Sequence, residues 1–305
     1  MRQTAPRFLA IPIALALAVA VAACGVLAPT APAPRHLHPV AAAPAADTRS
    51  VAVYWIGHAT VLVRLGDRWI LTDPVFADRL GGVVVRKVGA ALSIDELPPL
   101  DCVLVSHGHL DHLERPTLAR LDRRATLVVP PGLPSFVPPD HFAALATLAP
   151  WQSTDCHGVR ITAVPASHGN GRYGLDALWR RHDHTGFVLE GGGVTVYFAG
   201  DTGYDPSIFR AIGARFAIDL ALLPVGPAGR ARWIERWRRD VHLTPADALL
   251  AFAETGARWM VPVHWGAFYQ DPRDERRVIE AAIAADPRRD RVRLLTVGDS
   301  AEFLW

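Results

Sequence analysis

The sequence has 305 residues, 50% of them hydrophobic, so it is long enough to bury a large core. Its 32 Lys and Arg residues nearly balance 30 Asp and Glu residues, which leaves a formal net charge of +2 at pH 7. A nucleic-acid-binding protein usually shows a clear basic excess, so no nucleic-acid partner is expected. The 13 histidines are more informative, because several of them cluster.

The N-terminus is typical of an export signal. Arg2 and Arg7 precede an apolar run over residues 8–23 that is short for a transmembrane helix. Small residues then lead to Cys24, an arrangement that resembles a bacterial lipobox, in which the chain is cut before a cysteine that receives lipid. The resemblance implies a signal peptide over residues 1–23 and a membrane-lipid anchor through acylated Cys24. An ordinary signal peptide followed by a chance cysteine is the alternative.

An Ala- and Pro-rich stretch follows the predicted lipid anchor. Residues 24–50 have a composition that cannot build a core and that favours an extended spacer. We therefore predict a tether over 24–50 and a globular domain over 51–305. Gly25 follows the cysteine, with no aspartate there to retain a lipoprotein at the inner membrane. The expected location is the bacterial cell envelope, at the outer membrane and facing the periplasm.

Runs of apolar and β-branched residues between turn residues predict strands throughout the globular part. In chain order they cover 51–56, 60–65, 68–72, 102–106, 127–129, 159–164, 186–189, 194–198, 220–224, 259–263 and 292–296. One helix has strong start signals, with Thr244 as N-cap, Pro245 at the first position and Asp247 at the third. Gly256 would end that helix. The order of elements predicts an α+β fold with two sheets and outer helices.

Two further cysteines, Cys102 and Cys156, lie in the globular part. An exported protein can form a disulfide between them, but spacing alone does not show that they are close in space. Cys102 opens an apolar run, which favours a buried free thiol. We therefore expect a free thiol at Cys102.

A dense cluster of potential metal ligands follows one of the predicted strands. His107 and His109 lie two residues apart, so in an extended loop both side chains point the same way. Asp111 and His112 follow where the chain can turn into a helix, whose first turn suits Pro116. Such a loop can offer two ligands to one metal ion and two to a neighbouring ion.

This stretch is similar to the His-x-His-x-Asp-His signature of the metallo-β-lactamase fold superfamily. The resemblance implies an α+β, four-layer αββα sandwich with further ligands at strand ends downstream. His168, Asp201 and His264 each follow a predicted strand and match those positions. By resemblance, one ion is held by His107, His109 and His168, the other by Asp111, His112 and His264, and both by Asp201 and a water.

Histidine and carboxylate ligands suit zinc, although iron or manganese would also tolerate them. The expected cofactors are therefore two zinc ions. Metal binding lowers the pKa of water from 15.7 to about 7, which makes hydroxide available at neutral pH. His182 and His184 lie nearby but in a charged run, and we expect both to be solvated.

Several segments resemble the N-acylphosphatidylethanolamine-hydrolysing phospholipase D family and its bacterial lipoprotein relatives; they are 55–60, 71–74, 198–204, 242–245 and 264–268. The resemblance implies a phosphodiesterase that acts on a lipid. Asp201, Asp111 and His242 are then the candidate catalytic residues, with His242 helping the leaving group or the phosphate. The residues expected to orient the ligands from behind are Asp73, His58 and Thr202. A purely structural role for His58 is equally compatible with the sequence.

The stretch 230–239 combines five arginines with Trp233 and Trp237, which would share one face of a helix. Arg and Trp together suit an anionic membrane interface. The alternative is an ordinary surface helix whose tryptophans pack inward.

Other functions stay open on the sequence alone. One is an ester or lactone hydrolase that resembles the ascorbate-phosphate lactonase-like branch, acting on a small-molecule ester. Another is a non-catalytic, metal-binding envelope lipoprotein. A true β-lactamase is disfavoured because those enzymes lack an aspartate like Asp201, and a nuclease is disfavoured by the near-neutral charge and by export.

Overall fold

The computed structural model describes residues 49–172, 183–228 and 241–305. The predicted signal peptide, Cys24 and the tether up to residue 48 lie outside the described residues, as do His182 and the Arg/Trp stretch 230–239. None of the helices within the described ranges has the length and apolar composition needed to cross a bilayer.

The described residues form strands β1 Ser50–Gly57, β2 Thr60–Leu65, β3 Arg68–Thr72, β4 Arg79–Leu80, β5 Val84–Val85, β6 Cys102–Leu104, β7 Thr126–Val129, β8 Ala144–Thr147, β9 Ser153–Cys156, β10 Val159–Val164, β11 Gly186–Gly191, β12 Val194–Phe198, β13 Leu220–Pro224, β14 Trp259–Val263 and β15 Ser300–Leu304. The helices are α1 Arg115–Leu118, α2 Pro206–Arg215, α3 Pro245–Thr255 and α4 Pro272–Ala285. Short 3₁₀ turns cover Ile94–Glu96, Pro134–Phe136 and Arg289–Arg291.

Two large sheets organise the molecule. The first has the strand order β15-β1-β2-β3-β6-β7-β8, and the second has the order β14-β13-β12-β11-β10-β9. Strands β3, β6 and β7 run parallel in the first sheet, and β12, β13 and β14 run parallel in the second. Within each sheet, the loops after these parallel strands leave from the same edge, which gathers the side chains that follow them.

Buried side chains from both sheets form one continuous core that includes Trp55, Phe187 and Phe198. Each large apolar side chain buried in this way contributes roughly 1.5–3 kcal/mol. Helix α3 contacts β13 and also α2 and α4, so these helices cover part of the second sheet. The α+β sandwich predicted from the sequence is confirmed.

Several elements match their predicted bounds. The strands predicted at 60–65, 68–72, 159–164, 194–198, 220–224 and 259–263 are β2, β3, β10, β12, β13 and β14. Helix α3 begins after Thr244, whose side chain accepts a hydrogen bond from the backbone N–H of Asp247, and it ends at Gly256 with a φ of 66°. The N-cap and C-cap residues therefore position this helix as expected.

The strand predicted at 292–296 is wrong. Only Val292 bridges another strand, at Met260, while the chain turns back between Thr296 and Asp299 through two hydrogen bonds. The strand that closes the first sheet is β15, which pairs with β1. Apolar content at 292–297 reflects burial of single side chains and not a hydrogen-bonded ladder, so composition alone misplaced the strand.

The free thiol expected at Cys102 is also wrong. Cys102 and Cys156 form a disulfide, with their Cα atoms 6.3 Å apart. Cys102 opens β6 in the first sheet and Cys156 ends β9 in the second, so the bond links the two sheets. Both residues are buried, and an apolar run therefore does not distinguish a core disulfide from a core thiol.

Candidate metal centre

All seven predicted ligands lie in loops at strand ends and converge in space. The loop after β6 carries His107, His109, Asp111 and His112, while His168 follows β10, Asp201 follows β12 and His264 follows β14. Their donor atoms fall into compact groups whose members lie within 4.8 Å of one another. The structure thus brings together residues from both sheets that are far apart in the sequence.

The first group consists of His107, His109 and His168. The Nδ1 atom of His109 lies 2.9 Å from Nε2 of His107 and 3.1 Å from Nε2 of His168. The opposite nitrogen of His168, Nδ1, donates to the carbonyl of Val241 at 2.7 Å, and Nδ1 of His107 contacts the Ser106 hydroxyl at 3.0 Å. Because Nδ1 of His168 carries the proton, its Nε2 lone pair faces the centre, as a metal ligand requires.

The second group consists of His58, Asp111, His112 and His264, all of them buried. Nδ1 of His112 donates to Asp73 at 2.6 Å, and Nδ1 of His264 donates to the carbonyl of Gly226 at 3.2 Å. These bonds leave the two Nε2 atoms facing each other at 3.1 Å. Two facing lone pairs repel unless a cation or a proton lies between them, so this donor set fits a metal ion.

Asp201 contacts the second group, and its charge also acts on the three histidines of the first group. Its Oδ2 atom is 3.2 Å from Nε2 of His112 and 3.1 Å from Nε2 of His264. Its other oxygen, Oδ1, is buried and has no hydrogen-bond partner in the described chain. A buried carboxylate oxygen without a partner is costly, and a metal ion would satisfy it.

The histidine pKa values differ between the groups. Burial lowers the pKa of His107, His109 and His168, to about 4 in the case of His168. These three imidazoles are therefore neutral at pH 7, the form that binds metal.

In the second group, burial alone would lower the pKa of His264, but the carboxylates of Asp201 and Asp111 outweigh burial and raise it to about 9. The pKa of His112 is raised well above its usual value for the same reason. Burial would raise the pKa of Asp201 and of Asp111, yet the surrounding histidines hold both well below the usual range. This group therefore holds carboxylates that require positive charge beside them.

Asp73 and Thr202 connect the loops that bear the ligands. Asp73 accepts from the backbone N–H and the hydroxyl of Ser106, both at 2.6 Å, in addition to His112. The Thr202 hydroxyl accepts from the backbone N–H of Ser167 at 2.9 Å, next to His168. Both residues lie behind the ligands, where the sequence predicted them.

Gly200 allows the two sheets to approach closely at the centre. It has a φ of 60°, and a Cβ atom there would lie 2.5 Å from Cβ of Ser106. Only glycine fits this position. The backbone of the loop that carries Asp201 therefore lies directly against the side chain of Ser106, the residue before His107.

His58 lies beside the second group. Burial lowers its pKa to about 3, so the ring is neutral, and its Nε2 lies 3.0 Å from Oδ2 of Asp111. Its ring centroid is 3.9 Å from that of His264. The carbonyl of His58 also accepts from the backbone N–H of His264 at 2.9 Å. His58 thus contacts two of the predicted ligands.

His242 and His184 lie at the edge of the centre. Nδ1 of His242 is 3.5 Å from Oδ2 of Asp201, and the side chain is 13% exposed. The expectation that His184 is solvated is wrong, because residue 184 bridges His107 through backbone and its side chain is only 20% exposed. Neighbouring Asp183 is buried and accepts from the backbone N–H of Gly171, so residues 183–184 pack against the rest of the fold.

Two residues that the sequence analysis missed also contact the centre. The hydroxyl of Tyr269 donates to Oδ2 of Asp111 at 2.9 Å. Nη1 of Arg172 donates to the carbonyls of Gly108 at 2.7 Å and Leu113 at 2.8 Å, near the two ends of the ligand loop. The only sequence signal for Tyr269 is its place in the loop that begins with His264.

The chain matches a family model over residues 68–265, described as beta-lactamase superfamily domain. It is 34% identical over 257 residues to an uncharacterized protein of Mycobacterium tuberculosis, a match that covers 78% of this chain and 65% of that protein. The chain therefore spans slightly less than two thirds of the length of this relative.

Two other relatives have functional names. The chain is 32% identical over 248 residues to N-acyl-phosphatidylethanolamine-hydrolyzing phospholipase D 1 of Caenorhabditis elegans, covering 72% of this chain and 67% of that protein. It is 31% identical over 255 residues to a UPF0173 metal-dependent hydrolase of Pelotomaculum thermopropionicum, covering 82% of this chain and 99% of that protein.

A solved structure has the same fold. A possible metal-dependent hydrolase from Veillonella parvula superposes with a TM-score of 0.67 at 18% identity, over 82% of this chain and 98% of that chain. At this identity the likeness concerns the fold alone.

Proposed function

The chain belongs to the metallo-β-lactamase superfamily, and from that premise we propose that it is a metal-dependent hydrolase with two zinc ions that cleaves lipid phosphodiesters in the manner of a phospholipase D. The observation that carries the proposal is Asp201, which contacts His112 and His264 of the second group, acts electrostatically on the histidines of the first group, and has a buried Oδ1 atom without a partner within the described residues.

The ligand sets follow from the donor atoms. His107, His109 and His168 would hold one zinc ion and Asp111, His112 and His264 the other, with Asp201 as the proposed shared ligand beside His112 and His264. Two such ions would supply hydroxide at neutral pH and positive charge for the phosphoryl oxygens. Iron or manganese fits the same donors less specifically.

The remaining residues orient and support these groups. Asp73 holds His112 in the tautomer that leaves Nε2 free for the metal, and His58 donates to Asp111. His242 lies next to Asp201 and is partly exposed, so it is placed to hydrogen-bond the phosphate or the departing alcohol. Cleavage on that side of the phosphorus would release phosphatidic acid and the headgroup alcohol.

The substrate class is an N-acylphosphatidylethanolamine-like lipid. Two features support it, namely the similarity to the nematode phospholipase D and the predicted lipid anchor at Cys24. The disulfide between Cys102 and Cys156 suits an oxidising compartment such as the periplasm. A tether over 24–50 would hold the enzyme beside its substrate membrane.

The test compares three substrate classes on protein of measured metal content. Zinc-loaded enzyme is expected to hydrolyse bis(p-nitrophenyl) phosphate and N-acylphosphatidylethanolamine in vesicles, with phosphatidic acid detected by mass spectrometry. A p-nitrophenyl ester and a lactone serve as the carbonyl controls. Turnover of the carbonyl substrates alone would identify an ester or lactone hydrolase, and metal binding without any turnover would identify a metal-binding envelope protein.

A further inference from the structure

Asp111 is held from two sides by hydrogen-bond donors. Its Oδ2 atom receives the Tyr269 hydroxyl at 2.9 Å and Nε2 of His58 at 3.0 Å. The same oxygen lies 3.8 Å from Nε2 of His264 and 3.9 Å from Nε2 of His112. The orientation of this carboxylate towards the second ligand group therefore depends on both donors.

The backbone at Tyr269 is strained. Tyr269 has a φ of 62°, and the backbone N–H of Gln270 donates to the carbonyl of Phe268 at 2.7 Å. These features define a three-residue γ-turn with positive φ, a rare and unfavourable conformation for a residue with a side chain. Such strain persists only where the surroundings impose it, and it concentrates at functional sites.

Hydrogen bonds and ring contacts hold the loop over residues 264–270 in place at successive positions. The backbone N–H of Gly266 donates to Glu275 at 2.6 Å, and the carbonyl of Ala267 accepts from the backbone of Lys87 at 2.6 Å. The ring of Phe268 lies 4.5 Å from the buried guanidinium of Arg86 and packs edge-on against His58 at 5.0 Å. These contacts impose the strained turn and direct the Tyr269 hydroxyl at Asp111.

The ring of Tyr269 has a separate role from its hydroxyl. It packs with Leu110 and Val84 against a small apolar cluster that includes Phe268. A phenylalanine would fill this position equally well, and it would remove only the hydrogen bond to Asp111.

We infer that Tyr269 is a positioning residue for the metal ion of the second group. Resting on the proposed metal centre, the inference is that its hydroxyl and His58 together hold Asp111 in the orientation that binds the ion. Partners of this kind, one step behind a ligand, typically change metal affinity by roughly 10–100-fold. The Tyr269 hydroxyl donates to Asp111, which belongs to the second group, so the ion of the first group should bind as before.

The experiment titrates metal-free full-length protein with Co²⁺ and follows the visible absorption of each bound ion. In Tyr269→Phe, one of the two ions is expected to bind about 10-fold more weakly with an altered spectrum, while the other binds as in the wild type. Tyr197→Phe is the matched control, because the buried Tyr197 hydroxyl has no hydrogen-bond partner among the described residues. Thermal unfolding of both variants shows whether folding is preserved.

A second variant keeps the result interpretable. His58→Leu removes the other donor to Asp111, and because both donors bind the same carboxylate oxygen, the affinity losses of the two single variants should not simply add in the double variant. The inference is overturned if Tyr269→Phe binds both ions as the wild type does, or if it weakens both ions equally. Wild-type protein that binds two ions but leaves phosphodiesters intact would overturn the proposed function alone.

Discussion

The two halves of the metal centre differ in burial and in charge. The first group has three imidazoles, two of them partly exposed, and burial lowers the pKa of each. The second group is entirely buried and contains a carboxylate, and the pKa values of its histidines His112 and His264 are raised. The first group therefore offers neutral histidine ligands near solvent. The second group is a buried network of charged residues, from which a metal ion must displace protons. Two adjacent sites built from the same residue types can thus bind metal under different conditions.

The largest effect is expected where the halves meet. Asp201→Asn should lower the rate by more than about 1,000-fold, beyond the roughly 10–100-fold that is typical of residues that only support a ligand. It should also lower the content of both metal ions, as measured by elemental analysis, because the amide carries no charge. Asp205→Asn is the matched control, since Asp205 caps α2 and an asparagine keeps that cap. A rate that survives Asp201→Asn contradicts the bridging role.

The disulfide should stabilise the fold that carries both halves of the metal centre. It closes a sequence separation of 54 residues, for which chain entropy gives about 4 kcal/mol of stabilisation. Cys102→Ser combined with Cys156→Ser should lower the free energy of unfolding by about that amount in urea denaturation. The loop after β6 carries ligands of both groups, so both metal ions should weaken together. Reduced wild-type protein is the control, and a loss under about 1 kcal/mol would count against an entropic role.

The pH dependence of the free energy of unfolding should show how much the buried carboxylate of Glu275, near the second half, destabilises the fold when it is charged. Burial raises its pKa to about 7 from 4.5, despite two backbone N–H donors from Gly266 and Ala228. Because the folded-state pKa is raised, the associated stability is fully present below pH 4.5 and is lost as pH rises through about 7. The loss is on the order of 3 kcal/mol. Urea denaturation at acid and alkaline pH should show this loss in the wild type but not in Glu275→Gln, and parallel profiles would contradict it.

The smallest effect concerns competition between metal and protons. The pKa of His264 is about 9, so below that pH a metal ion in the second half must displace its proton. The pKa of His112 is raised as well, so the affinity should fall at least about tenfold for each pH unit, or about 1.4 kcal/mol. The pKa of His168 is about 4, so affinity in the first half should stay nearly constant down to weakly acidic pH. Zinc competition titrations at several pH values measure how the zinc affinity of each half changes with pH. An equal pH dependence in both halves would contradict the predicted difference between them.

The part of the centre that could be predicted from sequence is local or lies at strand ends. His107, His109, Asp111 and His112 occupy one short loop, and the strand before each of the more distant ligands is strongly apolar. Helix α3 was predictable because its caps are set by neighbouring residues. These features depend on few long-range contacts.

The missed parts depend on long-range pairing. Tyr269 contacts Asp111 across 158 positions, and residue 184 reaches the centre only because its backbone pairs with His107. Strand β8 was missed because its residues are mostly exposed, and β15 because it pairs with the opposite end of the chain at β1. The disulfide required knowledge that β6 and β9 lie close together. No pattern within a short window of sequence contains this information.

The contact at Gly200 limits how this centre can change. Since Gly200 has no side chain, the loop that carries Asp201 packs directly on the Ser106 side chain, and no larger residue at position 200 would allow this approach. An alanine would wedge the loops apart and enlarge the gap that Asp201 must span. Attempts to redesign the site for bulkier substrates should therefore keep glycine at position 200.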